Sequence, residues 1–299
     1  MNSVRIRAYA KVNLCLHVLG RRADKYHELR TIFQTITLHD TLELELLRDP
    51  RIELHVTGNS SLAAEPSPQN LVYRALKALR RELRWRTGVR AVLSKRIPAG
   101  GGLGGGSSDA AAALAGMLRL TGRAIPAARL FAIARQLGAD VPFFLHGGRA
   151  VGIGRGDEIY PLPDIPRRAL LVVSPRGTTV ATRDAYQWLA RRLTKPRDPI
   201  KLARFCTLCW STQRGALEND FEAVVFPRFP RLRRIKRELL ERGVAEAALA
   251  GSGSAVFGFF QSPAQARRAA QAFPKDQVFV CSTLSRAAYR RQLGWPPSA

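Results

Sequence analysis

The segment PAGGGLGGGSSDAAAAL, Pro98 to Leu114, sets six glycines in seven residues directly against a run of alanines. Glycine carries a large conformational-entropy cost, so a block this dense implies a backbone that takes positive φ or approaches something closely. Upstream, Val89–Ile97 reads as a strand; downstream, Ser107–Leu120 reads as a buried, alanine-rich helix. A strand, a glycine turn and a helix N-terminus bring backbone N–H groups together at the positive end of the helix dipole, and that is an anion site. Ser107 and Ser108 stand where they can cap the helix and reach a phosphate or its metal. The competing reading is a glycine hinge without a ligand.

Two common phosphate loops do not fit. The pattern GxxxxGK[ST] needs a lysine after the glycines, and none follows. Gly100, Gly102 and Gly105 satisfy GxGxxG, but a dinucleotide fold also needs an acidic residue about twenty positions on. Leu118–Leu130 (LRLTGRAIPAARL) has none.

The chain has 299 residues, 46% of them hydrophobic, enough for one large or two ordinary domains. No run is long enough for a membrane span, and MNSVRIRAYAKVNLCLHVLGRR lacks a signal-peptide core, so a cytoplasmic protein with no membrane partner is expected. Cys15, Cys206, Cys209 and Cys281 are too few and scattered for a disulfide scaffold. Cys206 and Cys209 form a CxxC without the second pair that zinc would need, and read as two thiols on one apolar helical face. Lys+Arg outnumber Asp+Glu by 48 to 23, a net charge of +25 that draws polyanions. No nucleic-acid motif accompanies the charge, and RLRRIKRELLER (Arg231–Arg242) has an inner stripe of Leu232, Ile235, Leu239 and Leu240, so its arginines read as a solvated face.

The first half opens with strand-like segments Val4–Ala8, Val12–Leu19, Leu29–Leu38, Thr41–Leu47 and Ile52–Thr57. Helix-like segments follow at Asn70–Leu83 and from Pro126 to near Gly138. PLPDIPRR, Pro161–Arg168, reads as a linker. Beyond it come a strand at Ala169–Val173, helices at Thr182–Arg192, Leu217–Val225 and Arg231–Arg242, strands at Ala247–Leu249 and Ala255–Phe260, a helix at Pro263–Ala272 and a strand at Gln277–Cys281. This interleaving suggests two α+β domains.

PAGGGLGGGSSDAA resembles the second motif of the GHMP small-molecule kinases. AYAKVNLCLHVLGRRADKYHEL, Ala8–Leu29, resembles their first, and LAGSGSAVFGFF, Leu249–Phe260, their third, in the right order across most of the chain. The resemblance implies an α+β, two-domain GHMP-kinase-like fold. An N-terminal ribosomal-protein-S5-like kinase domain (1–160) would bind ATP, and a C-terminal ferredoxin-like α/β sandwich (161–299) would follow. GGGLGGGSS, RRADKYHEL and LGADVPFF narrow the implied reaction to ATP-dependent phosphorylation of the 2-hydroxyl of a CDP-linked methylerythritol. The rivals are a related kinase acting on homoserine, mevalonate or a sugar, and a basic RNA-associated binding protein.

The resemblance also implies roles. Asp140 and Lys11 are the catalytic pair, the lysine keeping the carboxylate ionised and favouring the developing alkoxide. Pro98, Ala99, Gly100, Gly101, Gly102, Leu103, Gly104, Gly105, Gly106, Ser107 and Ser108 wrap the ATP phosphates, with Asn70 and Lys95 near the adenine. Mg2+ is the expected counterion, with Ser107 and Ser108 as candidate contacts and no ligand assigned. Asn13, two residues from Lys11 on one strand face, binds substrate or orients the lysine. Tyr26 and His27 form the cytidine pocket, His27 bonding the base and Tyr26 stacking, with Thr182 and Tyr186 opposite. Gly251, Ser252 and Gly253 either hold the substrate diphosphate or make a tight β-connection. A monomer or weak homodimer, with no specific nucleic-acid partner, is expected. Residues 195–214 carry no recognised signature.

Overall fold

A computed structural model describes residues 3–24, 26–58, 68–192, 205–207, 209, 217–244 and 246–294. Its strands are β1 Ser3–Arg21, β2 His27–Leu47, β3 Ile52–Gly58, β4 Gly88–Lys95, β5 Arg149–Gly154, β6 Glu158–Pro161, β7 Ala169–Ser174, β8 Glu218–Asn219, β9 Glu246–Leu249, β10 Val256–Phe260 and β11 Gln277–Ser282. Its helices are α1 Leu71–Glu82, α2 Gly105–Thr121, α3 Ala127–Leu137, α4 Val141–His146, α5 Thr182–Ala190, α6 Glu222–Arg228, α7 Pro230–Glu241, α8 Pro263–Ala270 and α9 Arg286–Leu293. Among the described residues no helix is long and apolar enough to cross a membrane.

β1 and β2 are each one long strand where the sequence suggests two. They pair antiparallel with register shifts at Tyr9/Lys11, Asn13/Cys15 and Val18/Gly20. These irregularities interrupt the alternation, and from Ala8 to Leu16 every residue of β1 is buried, so both faces are covered and period two disappears. The first sheet runs β3-β4-β2-β1-β8, with β5 on the other stretch of β2 and β6 outside β5. α1, α2, α3 and α4 pack around one core with Ile6, Leu42, Leu44, Leu76 and Leu114. Within it α2 is buried almost all round, which requires small residues: a Cβ on Gly116 would stand 2.7 Å from Leu44 and 2.9 Å from Ile6. The second sheet is antiparallel, order β11-β7-β10-β9, and its strands and helices follow β-α-β-β-α-β, the ferredoxin-like arrangement. Ala10, Val12 and Leu14 of β1 share a further core with Leu170, Val172 and Phe257 of this sheet.

Several elements differ from the sequence reading. Leu217–Val225 is not one helix: Glu218–Asn219 form β8, Phe221 N–H donates to Asn219 Oδ1 at 3.0 Å, and α6 starts only at Glu222. α2 starts at Gly105 behind Gly104, with no side-chain cap, so Ser107 and Ser108 lie inside its first turn. α4, β5, β6 and α9 have no counterpart in the sequence pattern, because each is only four to eight residues long. Tyr289 of α9 is 1% exposed in the core of the first sheet and donates to Phe144 O. Cys209 is buried but Cys206 is exposed, so the CxxC does not present two thiols to one apolar face. Of 195–214, only 205–207 and 209 lie within the described residues.

Candidate active site

The glycine loop folds against the turn Ala250–Ala255. Ser254 N–H donates to Gly100 O at 3.0 Å, and Ala255 N–H to Gly101 O at 3.2 Å. Gly102 has φ +73°, and a Cβ there would fall 1.9 Å from Ala250 O. Gly104 has φ +72°, and its Cβ would meet the Phe144 ring at 2.8 Å and Lys11 Cγ at 3.1 Å. Only glycine satisfies both the backbone and the space. Between them, Leu103 O accepts from Lys11 N–H at 3.0 Å, which ties the loop to β1. The turn is itself held from beneath: Asn219 Nδ2 donates to Leu249 O at 2.8 Å and Gly251 O at 2.7 Å.

A cleft of about 1060 Å³ opens beside this junction. Lys11, Asn13 and Asp140 line it, as do Gly100, Gly102, Gly104, Gly105, Gly106 and Ser107. Lys11 is buried, and its ammonium stands 3.6 Å from Asp140 Oδ2. It donates to Asn13 Oδ1 at 2.8 Å; Asn13 Nδ2 donates to Thr31 Oγ1 at 2.7 Å, and Thr31 Oγ1 donates to Cys15 O at 2.7 Å. Both ends of the Asn13 amide are therefore assigned, and the chain of donors fixes the lysine head. Asp140 precedes α4 and caps nothing with its side chain, which leaves a half-buried carboxylate facing the cleft.

Ser108 and Lys95 turn away from this space. Ser108 Oγ donates to Tyr9 O at 2.7 Å, and both residues are buried. Lys95 bonds Asp40 and, at 2.6 Å, Asp109. Burial pulls the lysine down, but the two carboxylates outweigh it and hold the ammonium above its ordinary value. Burial pushes Asp109 up to about 8 against the pull of Lys95. Asp40 also accepts from the N–H groups of Arg96 and Ile97, whereas Asp109 Oδ1 has no partner, so Asp40 is the better stabilised anion. The Lys95 ammonium lies 3.3 Å from where a Cβ of Gly105 would stand, so its charge sits directly under the start of α2. Asn70 caps α1 by accepting from Val72 N–H at 2.9 Å; its neighbour Leu71 lines the cleft. Pro98, Ala99, Gly101, Leu103 and Gly253 are not among the residues that line the cleft.

At the other end of the cleft are Tyr26, His27, Thr182, Tyr186, Gly251 and Ser252. Thr182 Oγ1 and Ser252 Oγ are 3.0 Å apart, so α5 and the glycine turn meet there. His27 stacks on Tyr186, with centroids 4.8 Å apart at 25°, and Phe221 meets Tyr186 edge-on at 4.8 Å. His27 Nε2 is buried without a hydrogen-bond partner, and burial with the nearby Arg21 lowers its pKa. Burial and the Asp140 charge raise that of Tyr186. Tyr26 stands apart, 54% exposed, its ring 4.8 Å from the Arg155 guanidinium. Sequence reasoning missed Arg155, Arg183 and Arg191, which line this end with Arg21. Arg21 lies inside the GRRADKYHEL segment and could have been found there; the others carry no local signal.

Two family models match the chain: the GHMP kinases N terminal domain over residues 70–148 and the GHMP kinases C terminal domain over 189–278. A 4-diphosphocytidyl-2-C-methyl-D-erythritol kinase of Solibacter usitatus (strain Ellin6076) is 46% identical over 290 residues, covering 95% of this chain and 90% of that protein. Its counterpart in Syntrophotalea carbinolica is 39% identical over 264 residues, covering 88% and 92%. A crystal structure of 4-(cytidine 5'-diphospho)-2C-methyl-D-erythritol kinase matches with a TM-score of 0.76 at 36% identity, covering 94% of this chain and 99% of that one. A homoserine kinase of Cytophaga hutchinsonii shares the fold, TM-score 0.70 at 18% identity.

Proposed function

The chain belongs to the GHMP kinases, among the 4-diphosphocytidyl-2-C-methyl-D-erythritol kinases, and we propose that it transfers the γ-phosphoryl group of ATP to the 2-hydroxyl of 4-diphosphocytidyl-2-C-methyl-D-erythritol, in the non-mevalonate route to isoprenoid precursors. The observation that carries this reading is the Lys11–Asp140 pair, set between a glycine cradle at a helix N-terminus and a histidine with an unpartnered buried nitrogen.

Phosphoryl transfer asks mainly for alignment and charge neutralisation. In this reading the N–H groups at the start of α2 receive the ATP phosphates, with the Lys95 ammonium beneath them. The Asp140 carboxylate accepts the proton of the attacking hydroxyl. The Lys11 ammonium, oriented by Asn13, meets the negative charge that builds on the attacking oxygen and the transferring group. His27 Nε2 bonds the cytosine edge, and the hydroxyls of Thr182 and Ser252 with the Gly251 turn face the diphosphate. The four arginines at this end favour an acceptor that is itself a polyanion.

The cleft suits Mg2+, a hard cation that keeps most of its waters and takes few protein oxygens. The Ser107 hydroxyl is the loop's side-chain oxygen in the cleft, since Ser108 and Asp109 are engaged elsewhere. When bound, Mg2+ would screen the β- and γ-phosphate charge. We further take 1–160 as the ATP-binding domain and 161–299 as the domain closing the acceptor side, with β8 and α9 returning to the first. The chain works in the cytoplasm on small molecules, as a monomer or weak homodimer, without a specific nucleic-acid or membrane partner.

The test is incubation with ATP, Mg2+ and the CDP-linked acceptor, read by mass spectrometry for ADP and a monophosphorylated product. Turnover with homoserine, mevalonate or a sugar in its place would keep the kinase and remove the acceptor. No turnover with any of them from folded protein would sink the reading.

A further inference from the structure

The outer face of α1 is cationic along its length. Arg74, Lys77, Arg80 and Arg81, then Arg84 and Arg86 beyond the helix, line a groove of about 850 Å³ between α1 and α3. Among the described residues no carboxylate lines it. Tyr73 and Trp85, both half-buried, form part of its wall. The opposite face of α1, with Val72, Ala75, Leu76 and Leu79, is packed in the core of the first sheet, and no residue of the groove lines the cleft.

The fold leaves these charges without counter-ions. The acid of α1, Glu82, is held by the Arg129 guanidinium at 3.0 and 2.8 Å, and Arg80 donates to Pro50 O. The side chains of Arg74, Lys77, Arg81, Arg84 and Arg86 have no hydrogen-bond or ion-pair partner among the described residues. On α7, by contrast, Arg231, Lys236 and Arg237 are paired with Asp276, Glu222 and Glu241. Residues three and four apart are neighbours on a helix, so Arg74–Lys77, Lys77–Arg81 and Arg80–Arg84 are like-charge pairs that oppose folding. The helix dipole offsets this only at Arg80 and Arg81 in the last turn; Arg74 stands near the positive end. Arg84 takes φ +51°, the one non-glycine residue at positive φ among the described residues. Helices commonly place glycine at that point, and an arginine there costs backbone strain while adding a guanidinium to the groove.

We propose that this groove binds single-stranded RNA through its phosphates, without reading sequence and without entering the cleft. From Arg74 to Arg84 the charges extend about 15 Å at the rise of an α-helix. That is longer than the triphosphate of a free nucleotide and suits successive phosphates along a strand. The rings of Tyr73 and Trp85 add faces on which any base can stack. A lipid surface fits less well, because the site is concave and the exposed large hydrophobic residues, Tyr26, Tyr160, Leu240 and Val280, all lie elsewhere. A strand of phosphates neutralises the stripe and releases its own counterions, so affinity depends steeply on salt.

The full chain is titrated into fluorescein-labelled oligouridylate of about 20 nucleotides at about 0.1 M salt and followed by fluorescence anisotropy. The Kd should be about 1–100 μM, should weaken steeply with added salt, and should be matched within fivefold by oligoadenylate. The Arg74→Glu/Lys77→Glu/Arg81→Glu variant should raise Kd at least tenfold and flatten the salt dependence, with its circular dichroism unchanged and its kinase activity within twofold. An Arg233→Glu/Arg234→Glu/Arg267→Glu variant removes as much charge from exposed residues of the second domain and should keep Kd within threefold. Saturating ATP and Mg2+ at matched ionic strength should leave the RNA bound. No RNA binding by protein at about 100 μM, a preference well beyond fivefold for one sequence, equal weakening by the two triple variants, displacement by ATP, or binding to phosphatidylserine vesicles in place of RNA would each overturn the proposal.

Discussion

The Lys11 ammonium stands 3.6 Å from the Asp140 carboxylate although the two belong to different motifs on different elements, a β-strand and the turn before a short helix. Neither residue is held there by the other. Lys11 is oriented by Asn13, and Asp140 by the start of α4 beneath the glycine loop. Removing either head group should therefore cost chemistry and spare the fold. Asp140→Asn should lower kcat by about 10²–10⁴-fold, and Lys11→Ala by about 10²–10³-fold, with unchanged far-UV circular dichroism. Steady-state kinetics with ATP near saturation reads this directly; activity within threefold of the unmodified chain would refute the assignment.

Gly102 and Gly106 lie in one loop-to-helix segment and should respond oppositely to alanine. At Gly102 the methyl would enter Ala250 O and demand positive φ, so Gly102→Ala should lose at least about 2 kcal/mol of stability. At Gly106 the nearest atom to the added methyl is Leu71 Cδ1 at 3.7 Å, an ordinary contact inside a helix. Gly106→Ala should be neutral or up to about 1 kcal/mol more stable. Thermal melts of both variants decide it.

His27 should govern acceptor affinity and leave ATP untouched. Its lowered pKa keeps the ring neutral at pH 7, with Nε2 available to a ligand. His27→Ala should raise KM for the CDP-linked acceptor at least tenfold with KM for ATP within twofold. In the unmodified enzyme that acceptor KM should be flat above pH 6.5 and rise as acid protonates the ring. An equal rise in both KM values would count against the cytosine contact.

Lys95 lies between two buried carboxylates, so its removal strands both. Lys95→Met should destabilise by about 3–5 kcal/mol, while Asp109→Asn should cost far less because Asp40 keeps its partner. Urea denaturation of the two variants would show the asymmetry; equal losses would argue that Asp109 is the principal counter-ion.

His146 sets an acid limit on stability. Burial, then Arg290 and Arg286, lower its pKa from 6.5 to about 4. The unfolded chain therefore takes up the proton first, and stability falls as pH drops from about 6.5 towards 4, by up to about 3 kcal/mol. His146→Gln should flatten that part of the Tm-against-pH curve; an unchanged slope would exclude His146 as its source.

The local code was strong where composition alone constrains conformation. The block Gly100–Gly106 against Ala110–Ala113 announced a close backbone approach and a helix packed on all sides, and both are present because any side chain at Gly102 or Gly116 would collide with Ala250 or Leu44. Strand and helix periods located most elements. They failed at β1 and β2, where burial on both faces and register shifts remove the period, and at β8, whose two residues become a strand only by pairing with Cys15 and Leu16.

Sequence by itself determined the order of three glycine- and lysine-bearing motifs, and hence a phosphate-binding chain of the GHMP kinase type, because those motifs work through backbone conformation that the residues carry with them. Only the tertiary structure decided which side chains share the cleft. It brought Ser252 to Thr182, Arg155 to Tyr26 and His27 against Tyr186, and it turned Ser108 towards Tyr9 and Lys95 towards Asp40. The reason is physical: a buried hydroxyl or ammonium goes to whichever acceptor the packed fold supplies, and that acceptor is as often a distant strand as the neighbour in the motif.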